Sequence, residues 1–438
     1  MRKKANQLPL PPWPQMAEAC PSLIARRRAA CVHFVQKKKR TPAHFSPQNP
    51  PLLLDFAGPK SKSHGDMAAP RRVLTEHVIG EILFRLPPEQ PASFFRAAAV
   101  CRAWRAFLTT PNILRIYREF HKAPPVLAFL QNTGGPVARI TTTAAPSPPL
   151  LAHAPNFECQ FSLALDCRHG RVLLHTINPL GLVVWNPVTG GHHLLPDLPL
   201  WPDQPDPPFT HFAGAVLCAA DGCNHLDCRG GPFRVVFAAT ADQNVDEVST
   251  WAILYSSETG AWTEPSTVHP GPVMDSLDVM GPSLLAGDAL YFTLDLQNNR
   301  TVLRYDLGAG ALSVMDPPPL LVRRDTFLVT GEDGGLGVAA VEGYSLHLWS
   351  WNAGGGRWLP HRVIDLETTI PFTIGGPITE LKVIGFAEMS GIIFVGANGI
   401  ISSVELRSGK VISNFSRAPN LNTIFPIEIF YTLGMQNA

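Results

Sequence analysis

The stretch Cys218-Ala219-Ala220-Asp221-Gly222-Cys223-Asn224-His225-Leu226-Asp227-Cys228 concentrates three thiols, an imidazole and two carboxylates in eleven residues. Thiolate sulfur and imidazole nitrogen are donors that zinc prefers, so metal binding is the chemistry these residue types offer. The cysteines stand five residues apart, wider than the usual CxxC knuckle, and no second half-site accompanies them. The competing reading is a long recognition loop whose thiols pack as small hydrophobes. On that reading, which is preferred, neither a metal nor any other cofactor is expected. No nucleophile triad, HExxH, phosphate-binding loop or dinucleotide fingerprint occurs in the chain, and no catalytic residue is expected. Residues 330–337 are glycine-rich but lack the lysine and following helix of a phosphate cradle, so they read as a turn. His192-His193 follows a turn and reads as a polar strand edge rather than a ligand pair.

Those residues must be positioned by strands. After His121 the apolar pattern becomes short β-rich runs separated by Gly, Pro, Asn and Asp. Hairpin signals recur at Gln131-Asn132-Thr133-Gly134, Asn186-Pro187-Val188-Thr189-Gly190, Ser257-Glu258-Thr259-Gly260, Asp306-Leu307-Gly308-Ala309-Gly310, Asn352-Ala353-Gly354-Gly355 and Arg407-Ser408-Gly409. Each ends on a glycine able to supply the positive φ that a tight hairpin requires. The final glycines are 56, 70, 50, 45 and 54 residues apart, and the longest interval holds the cysteine loop. Trp185, Tyr255, Tyr305 and Trp349 stand on the strand entering a turn, a position suited to packing between repeats. Upstream lie Gly-led strands beginning at Gly170, Gly287 and Gly391, each one strand ahead of an outer hairpin.

Four-stranded units of about 50 residues arranged in a ring make a β-propeller. The 317 residues after His121 hold roughly six such units. A seventh blade closed by both termini is the variant, and a pair of irregular β-sandwiches is the competing fold. Trp201, Trp251, Trp262, Trp349, Trp351 and Trp358 are expected mostly between blades, with one or two lining a central recognition surface.

The stretch from Arg71 to His121 has a different period. Val78, Ile79, Ile82, Leu83 and Leu86 recur at helical spacing, with Thr75 placed to cap and Glu76 in the first turn. Pro87-Pro88 ends that helix. Further helices are predicted over 92–99, 100–108 and, after the capping pair Thr110-Pro111, 112–120. So small a unit buries a low fraction of its surface, which implies that part of its rich apolar inventory serves a partner.

Leu74, the run Ile82-Leu83-x-x-Leu86-Pro87, and Val100-Cys101-x-x-Trp104-x-x-x-Leu108 resemble an F-box. The family's opening Leu-Pro is here Leu74-Thr75. The remainder resembles the kelch-like, F-box-associated propellers of plant F-box proteins through its WNPVTG and YSSETGAW segments, although the double glycine of kelch blades is mostly absent. The resemblance implies docking on a Skp-type adaptor, and so on a cullin scaffold, through Leu74, Ile82, Leu83, Leu86, Pro87, Val100, Cys101, Trp104 and Leu108. It implies a non-catalytic, substrate-recognition subunit of an SCF-type ubiquitin ligase, with an unidentified target protein held by the propeller. An ordinary helical hairpin with Leu and Trp in its core is the competing reading of the first motif. A protein-binding propeller acting outside ubiquitin ligases is the alternative for the whole. A propeller enzyme would need a metal or a carboxylate pair converging at the ring centre.

Composition sets the remaining bounds. Residues 1–66 carry 12 Lys/Arg against 3 Asp/Glu, a balance of +9 in a chain of net +1, which leaves −8 on the remainder. An acidic body argues against general nucleic-acid binding. Eight irregularly spaced cysteines, with no secretory signal ahead of them, imply a reducing compartment. No apolar run reaches the ~20 residues needed to span a bilayer, and the expected location is nucleus and/or cytoplasm. Residues 1–66 read as a disordered basic, Pro-rich tail. Arg26-Arg27-Arg28 and Lys37-Lys38-Lys39-Arg40 are candidate nuclear localisation clusters, and Met67 is a candidate start of the functional product. The expected organisation is α plus all-β: tail 1–66, helical F-box domain 67–121, propeller 122–438.

Overall fold

The computed structural model describes residues 76–132, 138–143, 162–177, 180–199, 209–228, 230–242, 248–271, 278–279, 281–295, 300–316, 318, 326–367, 370, 381–397, 399–415 and 423–432. The expected tail, Met67, Leu74, the Thr75 cap, the glycine of the first hairpin and Trp201 lie outside them. No helix among the described residues is long and apolar enough to cross a membrane.

Four short helices open the described chain: α1 (Glu76–Phe84), α2 (Pro91–Val100), α3 (Arg102–Thr109) and α4 (Pro111–His121). Prolines set their boundaries. Pro91 and Pro111 occupy the first turns of α2 and α4, where a missing N–H costs nothing. Cys101 is fully extended between α2 and α3, and its sulfur accepts the Trp104 N–H at 3.5 Å, so it serves as the cap. Thr110 behaves otherwise than expected. It stands at the cap position of α4, but its hydroxyl turns back to the Ala106 carbonyl at 2.8 Å.

The described strands form six sheets. Blade 1 joins β1 (Val126–Gln131) and β2 (Arg139–Thr142) to the last described strand, β25 (Ile424–Glu428). Blade 2 is β3 (Ser162–Arg168), β4 (Arg171–Ile177), β5 (Leu180–Trp185) and β6 (His192–Leu194). Blade 3 is β7 (Phe209–Cys218), β8 (Phe233–Asp242), β9 (Val248–Ser256) and β10 (Ala261–Trp262), extended by β11 (Ser266–Val268) and β12 (Asp278–Val279). Blade 4 is β13 (Leu284–Ala286), β14 (Ala289–Asp295), β15 (Arg300–Asp306) and β16 (Ala311–Met315). Blade 5 is β17 (Thr326–Thr330), β18 (Leu336–Glu342), β19 (Ser345–Asn352) and β20 (Arg357–Asp365). Blade 6 is β21 (Leu381–Ala387), β22 (Ile392–Ala397), β23 (Ile400–Glu405) and β24 (Lys410–Phe415).

This is a six-bladed propeller. Both ends of the β region share blade 1, since β25 pairs antiparallel with β1 from Val126↔Glu428 to Gln131↔Ile424. Apolar clusters join blade 1 to 2, 2 to 3, 3 to 4, 4 through 5 to 6, and 6 back to 1. Trp185, Tyr255 and Tyr305 are buried in three of these seams. The hairpin signals from Asn186 onward fall between third and fourth strands, and the Gly-led segments begin second strands. At the fifth hairpin the left-handed residue is Gly356, one beyond the expected Gly355.

The helices are sealed to the ring. Phe430, 1% exposed, sits in the helical core with Leu83, Phe94, Leu108, Leu114 and Tyr117. The Tyr431 ring packs tilted against Phe95 with centroids 5.5 Å apart, and the Arg118 guanidinium pairs with Asp227 at 2.7 Å. Residues 73–438 accordingly make one compact unit.

Candidate functional site

The first candidate is the helical face. Leu83 and Leu108 are each 2% exposed and belong to the interior of the helical unit. Leu86 and Trp104 are half-buried at its margin, and so is Pro87. The Leu86 carbonyl accepts the Tyr117 hydroxyl at 2.8 Å, and burial holds that phenol well above its ordinary pKa. Ile82 at 49% and Val100 at 64% are open to solvent, as is Cys101. Val78, Ile116 and Phe120 are exposed as well; the last two lie on α4 and were not singled out from the sequence. Helical period locates an apolar stripe but does not say which of its members the ring and the other helices will cover.

The second candidate lies where the innermost strands meet. Arg168, at the end of β3, is buried and donates to Asp166 at 2.7 Å, to Glu388 at 2.5 and 3.0 Å, and to the Ser283 carbonyl at 3.0 Å. Asp166 also accepts the Val216 N–H at 2.8 Å, and Glu388 the Leu285 N–H at 3.3 Å. Arg168 and the two carboxylates it pairs with thus join blades 2, 3, 4 and 6. Burial pushes the Asp166 carboxyl up to about 6, against the pull of Arg168. Glu428, at the end of β25, accepts the Met389 and Ser390 N–H groups at 3.1 and 2.8 Å, and burial raises it to about 7. Carboxylates do converge near the ring centre, as a propeller enzyme would need. Each already holds backbone donors or Arg168, so the arrangement acts as a hub joining blades.

The third candidate is the cysteine loop between β7 and β8. Folding brings Cys218, Cys223, His225 and Cys228 together, their donor atoms all within 4.8 Å of one another. The Cys223 and Cys228 sulfurs are 3.5 Å apart, and His225 Nδ1 is 3.5 Å from the Cys228 sulfur. The Cys223 sulfur accepts the His225 N–H at 3.4 Å. His225 has a φ of 60°, in the left-handed region that few residues other than glycine adopt. Its ring stacks on His169 at 4.0 Å, and His169 Nδ1 accepts the Cys218 N–H at 3.3 Å. Burial pushes the Cys218 thiol up, but the Ala220 N–H, the neighbouring thiols and Arg171 outweigh it and hold it below the ordinary thiol range. Asp221 and Asp227 stay out of the cluster; Asp227 is taken by Arg118. His192 and His193 occupy the outer strand β6, where His193 Nε2 meets the Tyr255 hydroxyl at 3.2 Å.

No family model matches the chain, and no curated protein matches it in sequence. Among solved structures, it is similar to the Dos1 propeller, at 11% identity and a TM-score of 0.30, over 59% of this chain and 58% of that one. It is similar to the WD40 domain of SCAP from fission yeast, at 11% identity and a TM-score of 0.31, over 61% of this chain and 53% of that one. A protein from Lactobacillus plantarum shares 13% identity at a TM-score of 0.37, over 64% of this chain and 74% of its own. The chain thus spans a little over half of the first two. Its six-bladed architecture rests on its own strand pairing, and a propeller is a fold suited to protein binding.

Proposed function

We propose that this chain is the substrate-recognition subunit of an SCF-type ubiquitin ligase, in which the four helices dock on a Skp-type adaptor and the propeller holds the target protein. The observation that carries the reading is the exposure of Ile82 and Val100, members of the F-box pattern, on a helical unit whose own core is already filled. Apolar residues left open beside a complete core are the usual anchors of a protein interface. Ile82, Val100 and Cys101 are the exposed contacts, and Leu86, Pro87 and Trp104 the half-buried rim. Leu83 and Leu108 act indirectly, by holding the helices in register. The chain performs no bond chemistry; ubiquitin transfer is speeded by effective concentration, because target and charged conjugating enzyme share one scaffold. Nucleus and cytoplasm are the compartments in which such a ligase works.

A second reading has its own support. Phe430 and the helical core form a continuous seal, which suits helices that merely cap a protein-binding propeller acting outside ubiquitin ligases. One experiment separates the two. The full chain is mixed with purified Skp-type adaptor and cullin scaffold and compared with an Ile82→Glu/Val100→Glu variant. The ligase reading expects wild-type binding and a loss of at least ~2 kcal/mol, about 30-fold, in a variant of unchanged circular dichroism. Absence of wild-type binding, or equal binding by the variant, rejects it.

A further inference from the structure

We propose that Cys218, Cys223, His225 and Cys228 form a structural zinc site that fixes the loop latching the helices to the propeller. A tetrahedral zinc lies about 2.3 Å from sulfur and about 2.0 Å from nitrogen, which requires its ligand atoms to stand about 3.5 to 3.8 Å apart. The Cys223–Cys228 and Cys228–His225 separations are both 3.5 Å, and the widest pair of the four is within 4.8 Å. The same 3.5 Å is far beyond the about 2.05 Å of a disulfide. Three thiols also cannot all pair with one another.

The surroundings fit a charged centre. Zinc with three thiolates and a neutral imidazole carries a net −1, and its formation releases the three thiol protons to solvent. The Arg171 guanidinium clamps the loop base by donating to the Gly231 carbonyl at 2.7 Å, which brings a cation to the end of the loop. The His225 N–H aimed at the Cys223 sulfur adds a further partial positive charge. His169 stacks on the His225 ring and accepts the Cys218 N–H, so it fixes the orientation of one ligand ring and the backbone of another ligand. All four positions of the tetrahedron are filled by protein, which is the mark of a structural rather than a catalytic site.

Between Ala219 and Pro232 the loop forms no strand, and none of its described residues is fully buried, so its own packing stores little stability. Yet it carries two of the links to the helices. Leu226 packs against the helical core, and Asp227 pairs with Arg118 of α4. Both lie between ligands His225 and Cys228, so a metal would set their positions directly.

The test uses the full chain purified under reducing conditions and loaded with zinc alone, or with cobalt(II) as a spectroscopic substitute. About one zinc per chain after gel filtration, and a tetrahedral cobalt–thiolate absorption, are expected. Cys223→Ser and Cys228→Ser lose the metal, whereas Asp221→Asn keeps it. Chelation of the wild-type protein then accelerates amide exchange in α4 on the order of tenfold or more, and zinc restores it; this arm stands even if the serine variants fail to fold. Substoichiometric zinc in the reduced wild-type chain, or full metal in a Cys223→Ser/Cys228→Ser double variant, overturns the site. Unchanged α4 exchange on chelation overturns its latching role.

Discussion

Arg168 shows how much one side chain can be asked to do in a ring. It is an ion buried among four blades, and its removal would leave Asp166 and Glu388 without their shared cation. Breaking a buried pair from one side costs more than the pair contributes, because the remaining charge stays desolvated. Arg168→Ala is therefore expected to destabilise the ring by roughly 3–5 kcal/mol, read as a lowered urea midpoint. An unaltered midpoint would remove the hub from the account. Nothing in the local sequence Asp166-Cys167-Arg168 announces this role, since alternation along β3 would leave its end a surface charge. Asp166 is two residues away, but its other partners come from positions 115 and 220 residues away.

At the scale of elements, the blades differ in how closely they approach. Gly385 lies at a bulge in β21, where the Ile424 carbonyl and side chain of β25 crowd the space a Cβ would take; the carbonyl would be 3.0 Å away. Gly385→Ala is expected to cost about 1–3 kcal/mol through overpacking at the closing seam, measured by chemical denaturation, with no loss if the seam is slack. The turn glycines were legible from their spacing because a hairpin imposes a positive φ locally. Gly385 was not, because its constraint comes from a strand at the other end of the chain. The helices divide the same way: prolines and period place all four, but the covering of Leu83 depends on segments distant in the chain, Phe430 among them.

At the scale of the whole molecule, the ring is closed by residues 424–432. β25 completes blade 1, and Phe430 and Tyr431 immediately after it enter the helical core and the seam of blades 1 and 2. This segment therefore fastens the helices to the ring, alongside the Arg118–Asp227 pair and Leu226 of the cysteine loop. Phe430→Ala is expected to cost about 3–5 kcal/mol. It should speed amide exchange across residues 76–121 while β14 and β15 stay protected; uniform acceleration would show that the helices are no separate layer.

By itself, the sequence determined what depends on neighbours along the chain: helices bounded by proline, hairpins ending on glycine, about six repeats, and the residue types able to bind zinc. The tertiary structure alone decided which apolar residues remain in solvent, which charges meet at the hub, and whether the Cys218–Cys228 donors share a centre. The reason is physical. Backbone preferences act over a few residues, whereas burial and donor convergence are set by segments that only the closed ring brings within reach.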